Sequence, residues 1–362
     1  MNIIQKLTGR KRKKHSQILS ALVDANLVCL SDTEACEDAA RTLPIGIPKK
    51  LLERLKGRSK SDPLVRQFVP TTNENEKSEK ELSDPIGDDH HSPVFGLVHR
   101  YPDRVLLMPV SSCPVYCRFC FRRNSVGGTR LSEAQLDKAL DYIKQNNEIW
   151  EVILSGGDPL ILAPQRINDI LNRLVKIDHV GTIRIHTRVP ALDPDRITSA
   201  MLKALNIQKP LWIVLHCNHA SEIDQSAEEA IRKLIDSGIP MLSQTVLLKG
   251  INDNSTDLTK LMRTLVENRI KPYYLHQGDL AQGTSHFRTT LRHGRNLVRS
   301  IRGGLSGIAQ PLYVLDIPGG FGKVSAEDTW ITPSVDGMGW IVEDHKGATH
   351  HYEDNIEPLD SE

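Results

Sequence analysis

Three of the chain's six cysteines fall close together in Ser111-Ser112-Cys113-Pro114-Val115-Tyr116-Cys117-Arg118-Phe119-Cys120, a C-x3-C-x2-C spacing. Three thiolates on one short loop can ligate three irons of a 4Fe–4S cluster and leave the fourth iron open to a small molecule. An electron-carrying cluster takes four protein ligands and keeps no open iron. Structural zinc also wants four ligands, usually as paired C-x2-C clusters, and no fourth Cys or His stands at a matching spacing. Buried free thiols are the remaining reading. Cys29, Cys36 and Cys217 occur singly and read as structural thiols.

Two glycine-bearing segments join the cysteine loop as candidates. Ser155-Gly156-Gly157-Asp158 ends an apolar run, and paired glycines let a backbone approach a ligand closely. Asp316-Ile317-Pro318-Gly319-Gly320-Phe321-Gly322-Lys323 puts one lysine on a turn that can reach across a cavity, where its amine could condense with an aldehyde. Taken by itself, the same fragment reads more readily as a surface turn with a solvated Lys323. A phosphate-binding G-x4-G-K-[ST] loop does not fit this spacing.

Elements able to position these residues begin near Leu97. Strand patterns at Arg104–Val110, Glu151–Leu154, Thr182–Thr187, Leu211–His216, Met241–Val246 and Pro272–His276 alternate with helical ones. The helices are expected at Ser132–Asn146, Pro164–Lys176, Pro194–Asn206, Gln225–Ser237, Ser255–Asn268 and Arg288–Arg302. Ile167, Ile170, Leu171 and Leu174 make one apolar stripe; Leu258, Leu261, Met262, Leu265 and Val266 make another. Ser132 and Ser255 stand where N-caps belong. Six β-α units in a row predict an α/β fold with a parallel sheet curled by right-handed crossovers into a partial (β/α)6 barrel. Sites in such barrels gather at the C-terminal strand ends, and that is where Cys113, Gly156, Gly157, Asp158, His186, His216, Gln244, His276 and Asp279 fall.

The flanks divide the chain into three regions. Residues 1–95 read as a helical N-terminal region, with helices at Gln17–Leu27 and Pro48–Leu55 and a polar linker from Thr71 to His91. Residues 96–305 hold the barrel. Residues 306–362, with strands at Pro311–Asp316 and Trp340–Val342, read as a small C-terminal segment over the barrel mouth. The basic run from Arg10 to Lys14 reads as a solvated helix face. A net charge of +1 gives no reason to expect nucleic acid or an acidic membrane as partner. No apolar run reaches the ~18 residues of a membrane span and no hydrophobic signal core opens the chain, which predicts a cytoplasmic protein.

The cysteine loop has the form C-x3-C-x-aromatic-C, with Phe119 as the aromatic, and in this it resembles the radical S-adenosylmethionine superfamily. Within it, the stretch from Gly96 to Lys323 resembles the lysine 2,3-aminomutase family. His99-Arg100-Tyr101-Pro102-Asp103-Arg104, Phe121-Arg122-Arg123, the segment from Asp279 to Arg288 and the loop lysine carry the likeness. The resemblance implies a radical S-adenosylmethionine, pyridoxal-phosphate-dependent isomerase that converts lysine to β-lysine. It implies a 4Fe–4S cluster on Cys113, Cys117 and Cys120, with S-adenosylmethionine held by Gly156, Gly157 and Asp158 and flanked by His216 and Gln244. Pyridoxal 5'-phosphate would sit on Lys323 near Arg100, Tyr101 and Arg104. Arg122 would hold the substrate carboxylate, and Asp279 and Asp316 the ε-ammonium of lysine. A low-potential electron donor such as flavodoxin or ferredoxin and a homo-oligomer are implied as well. His276 stands where lysine enzymes of the family carry tyrosine, which points toward members that make β-lysine for elongation factor P. A 2,3-aminomutase of another amino acid and, outside enzymes, an iron–sulfur electron carrier stay open at this point.

Overall fold

The β-α alternation folds around one sheet of nine strands that lie side by side in chain order. They are β1 (Leu97–Tyr101), β2 (Arg104–Val110), β3 (Glu151–Gly156), β4 (Thr182–Thr187), β5 (Leu211–His216), β6 (Met241–Val246), β7 (Ile270–His276), β8 (Leu312–Asp316) and β9 (Lys323–Ser325). β2 to β8 run parallel, and β1 and β9 pair antiparallel at the two edges. The computed structural model describes residues 16–352 apart from 77, 328, 335–338 and 345; the run from Arg10 to Lys14 lies outside them.

Among the described residues, four α-helices precede the sheet: α1 (16–24), α2 (Thr33–Thr42), α3 (Lys49–Leu55) and α4 (Pro63–Phe68). The crossovers are α5 (Glu133–Gln145), α6 (Pro164–Val175), α7 (Val189–Leu192) with α8 (Ser199–Leu205), α9 (Gln225–Asp236), α10 (Ser255–Glu267) and α11 (Leu291–Arg302). The α6 and α10 stripes do what their period requires: Ile167, Ile170, Leu171, Leu174, Leu258, Leu261, Met262 and Leu265 are fully buried. Val152 and Leu154 of β3 are buried as well, as a strand covered by helices demands.

Several boundaries differ from expectation for local reasons. The single helix expected over Pro194–Asn206 is broken, because a 3-10 turn at Pro194–Arg196 separates α7 from α8, which starts afresh with Thr198 accepting from Met201 N. Ser132 caps α5, but the cap of α10 is Asn254, which accepts from Asp257 N at 2.9 Å and leaves Ser255 as the first helical residue. Leu312–Asp316, expected in a separate terminal segment, is the seventh parallel strand. Its crossover helix α11 buries Leu297, Val298 and Ile301, so the β-α rhythm continues through it.

The polar stretch from Thr71 to His91, expected as a linker, is seated on the barrel. Glu74 pairs with Arg118 and Arg123, Glu81 with Arg288, and Asp88 with Arg100 and Arg122. Gly319 N donates to Pro85 O at 3.1 Å and His99 N to His91 O at 2.8 Å, so the stretch ties the β8–β9 loop to β1. A sheet with two free edges leaves an opening between them, and this strap crosses it. The small antiparallel sheet of β10 (Ile331–Pro333), β11 (Trp340–Glu343) and β12 (Thr349–Tyr352) is bound to α11 through Arg299 and Glu343, 2.6 Å apart. The part of the terminal segment that reaches the mouth is the loop ending at Lys323. Among the described residues, no helix is long and apolar enough to cross a membrane.

Candidate active site

The C-terminal ends of β2 to β8 face one cavity of about 560 Å³. Its lining includes Cys113, Cys117, Cys120, Arg100, Tyr101, Arg104, Arg122, Gly156, Gly157, Asp158, His216, Gln244, Asp279, Asp316 and Lys323, so every residue singled out in the sequence meets there.

The cysteine loop follows β2 and is propped from behind by the N-terminal helices. Tyr116 N donates to Gly46 O at 3.1 Å, Arg118 N to Gln67 O at 2.8 Å, and the Arg118 guanidinium to Pro44 O at 3.0 Å. All three loop thiols are free and reach the cavity. Burial raises each thiol above the ordinary range, that of Cys120 to about 11, while Arg188 beside Cys117 and Arg122 and Arg123 near Cys120 work the other way. Soft donors with a cationic surround suit a negatively charged iron–sulfur group, whose binding would deprotonate them. Among the described residues no three His, Cys, Asp or Glu side chains are grouped to hold a single metal ion. Phe119 packs edge-on against Phe287 and His216, with ring centres 6.0 and 6.2 Å apart, which fixes the loop's aromatic position.

Gly156 and Gly157 bring the end of β3 against the cysteine loop. A Cβ on Gly157 would lie 2.1 Å from Ser112 O, and Gly156 has a φ of +104° with Val110 O 2.7 Å from where its Cβ would be. The close approach is therefore to the loop's own backbone: Gly157 N donates to Val110 O and Asp158 N to Ser112 O. The buried Asp158 carboxylate accepts from Thr187 Oγ1 (2.7 Å) and Arg188 N (2.8 Å), which ties β3 to β4. His186 and His216 carry buried Nε2 atoms with no partner, and burial holds both rings well below the ordinary histidine range, hence neutral. Two unpartnered ring nitrogens at a cavity wall are suited to a polar ligand.

At the other side of the cavity, Lys323 Nζ sits 2.5 and 2.7 Å from the two oxygens of Asp316. His276 Nδ1 lies 3.3 Å from Asp316 Oδ2. Burial pushes Asp316 up, yet the hydrogen bond from His276 and the charge of Lys323 prevail and hold it well below the usual carboxylate range. Asp279 behaves oppositely: burial, reinforced by the negative charge of Asp316, pushes it up to about 7. Tyr101 presents a buried, unpartnered hydroxyl beside the lysine loop, 3.2 Å from where a Cβ on Gly322 would be. The Arg104 guanidinium stacks 3.7 Å from the centre of the Tyr101 ring. An unsatisfied hydroxyl and two arginines that line the same cavity as a lysine amine fit a phosphate-bearing aldehyde.

Residues 107–262 match the Radical SAM superfamily model. The chain is 42% identical over 306 residues to an L-lysine 2,3-aminomutase of Methanococcus maripaludis, covering 83% of this chain and 69% of that one. It is 39% identical over 294 residues to an L-lysine 2,3-aminomutase of Fusobacterium nucleatum, covering 81% and 69%. The chain belongs to the lysine 2,3-aminomutase family. As a radical S-adenosylmethionine aminomutase it is an isomerase of an amino acid, with a 4Fe–4S cluster and S-adenosylmethionine as cofactors. A glutamate 2,3-aminomutase of Clostridioides difficile is 37% identical over 264 residues, covering 72% of this chain and 62% of that one. Membership alone therefore leaves the substrate side chain to the cavity.

Two residues of this aminomutase's site escape motif reading. Asp88 bridges Arg122 (Nε 2.7 Å) and Arg100 (Nη2 3.1 Å), so a carboxylate from the strap already rests on the two cations that sequence assigned to anionic ligands. Arg188, the residue after β4, donates to Cys117 Sγ. Composition hid the first inside a polar stretch, and no motif marks the second.

Proposed function

We propose that this aminomutase acts on L-lysine, uses pyridoxal phosphate on Lys323, and moves the α-amino group to the β-carbon. Bound at the three thiols and at Lys323, the iron–sulfur cluster with S-adenosylmethionine would supply a carbon radical and pyridoxal phosphate an electron-delocalising ring. The chain's own residues bind, orient and exclude water. Arg122, its guanidinium already on a carboxylate, offers the planar fork that a substrate carboxylate needs. His216 and Gln244 would border the adenosyl end, and Gly156, Gly157 and Asp158 the amino end, of S-adenosylmethionine. Arg100, Tyr101 and Arg104 would hold the phosphate. A low-potential donor such as flavodoxin or ferredoxin would deliver the electron.

The observation that carries lysine as substrate is that Asp279 and Asp316 both line the cavity that Arg122 also lines. An ammonium leaving water needs a carboxylate partner, and a glutamate side chain would meet repulsion there. The histidine at position 276, where lysine enzymes of the resembled family carry tyrosine, supports a second reading, in which the same β-lysine serves elongation factor P.

Kinetics with lysine, glutamate and alanine test the assignment. Asp279→Asn should weaken lysine by roughly 2–5 kcal/mol, far more than tenfold, and leave alanine unaffected. Arg122→Ala should weaken all three. Lysine turnover unchanged in Asp279→Asn, or wild-type preference for glutamate, would remove the lysine reading.

A further inference from the structure

Arg188 is built into the wall of the cysteine loop rather than laid on it. Its backbone N is held by Asp158, and its side chain is only 8% exposed. Nη1 donates to Cys117 Sγ at 2.7 Å, and Nη2 donates to Gln67 Oε1 at 3.1 Å and to Glu222. Glu222 is wholly buried, and its other oxygen accepts from Asn218 N (2.8 Å), His219 N (3.0 Å) and Gln67 Nε2 (3.0 Å). The acid is thus fixed by backbone, and it fixes the guanidinium. Arginine stays charged in a protein, so a permanent cation is aimed at one thiol out of reach of solvent screening.

We propose that Arg188 is a positioning residue that sets the reduction potential of the iron–sulfur cluster through its hydrogen bond to Cys117, with Glu222 as the counter-charge that limits its pull. The proposal rests on Cys117 being an iron ligand. Reduction adds one electron to a thiolate-ligated, already anionic group. A cation donating to the ligand sulfur therefore stabilises the reduced form more than the oxidised one and raises the potential. Low local dielectric strengthens the effect. Glu222 opposes it, because its negative charge sits on the far side of the same guanidinium. The two residues therefore act with opposite signs.

The test is an anaerobic redox titration of the cluster with dithionite, followed by electron paramagnetic resonance, on the reconstituted holoenzyme without substrate. Wild type, Arg188→Gln, Arg188→Lys and Glu222→Gln are compared at measured iron content. Arg188→Gln should shift the midpoint negative. At the wild-type midpoint its reduced-to-oxidised ratio should fall roughly tenfold, which is about 59 mV for one electron. Arg188→Lys should recover part of that shift, and Glu222→Gln should move the midpoint the other way. Midpoints equal to wild type at full iron content would overturn the proposal, as would Arg188→Gln and Glu222→Gln shifting together, the mark of a general packing defect. If Arg188→Gln binds less iron, the sign of the Glu222→Gln shift decides alone. Wild-type iron in Cys117→Ala would instead refute the ligand assignment beneath it.

Discussion

Asp316 accepts from both Lys323 and His276, whereas Asp279 is taken out of water in the same cavity, within reach of the negative charge of Asp316. Asp279 is therefore about half-protonated near pH 7, and only its ionised form can receive an ammonium. The acid side of the kcat/KM profile for lysine should rise with pH through about 7, because that profile reports the free enzyme. Asp279→Asn should flatten this limb; a limb that persists in the variant would assign it to another group. Cys113, Cys117 and Cys120 lend themselves to a simpler count. Alanine at any one of them should abolish iron binding in anaerobically reconstituted protein, and Cys217→Ala should keep it, since Cys217 is fully buried in the apolar core and does not line the cavity. These three thiols are legible in sequence because their whole spacing lies on one loop. Arg188 is not, because its partner Cys117 is 71 residues away and only the end of β4 brings them together.

The strap from Thr71 to His91 has a role that its composition conceals. Charged and polar residues without periodicity read as solvated chain, yet the acids at 74, 81 and 88 each neutralise arginines of the site. Glu74 is buried completely against Arg118 and Arg123, which come from the cysteine loop. Replacing it by Gln would leave two guanidinium groups buried with no counter-charge, so Glu74→Gln should lose roughly 3–5 kcal/mol of unfolding free energy in urea titrations. Iron occupancy should fall with it, since Arg118 and Arg123 anchor that loop; a loss under about 1 kcal/mol with full iron would mean the pair is incidental. The barrel helices, by contrast, are readable from period alone. Ile167 to Leu174 and Leu258 to Leu265 announce their buried faces, while α8 starts later than its pattern because Pro194–Arg196 take a 3-10 turn, and α10 starts as expected but is capped by Asn254.

At the scale of the molecule, an open sheet brings two chemistries to one cavity from opposite edges. The cysteine loop leaves β2, near one edge, and Lys323 opens β9 at the other, with the strap spanning the gap between them. This arrangement is foreseeable from the β-α rhythm up to β7. The seventh parallel strand and the strap depend on pairings across the whole chain, such as Tyr274 with Leu312 and Pro85 with Gly319, which no local pattern displays. Because the two segments are separate, Lys323→Ala should lose borohydride-trapped pyridoxal phosphate and retain its iron; label on another lysine would displace the assignment. Both segments should act on one lysine molecule. Lysine carrying 15N on the α-amino group and 13C at C3, incubated anaerobically with reductant, S-adenosylmethionine and pyridoxal phosphate, tests it by nuclear magnetic resonance. A directly bonded 15N–13C3 pair should appear as β-lysine accumulates. S-adenosylmethionine consumed with the nitrogen still on C2 would contradict it.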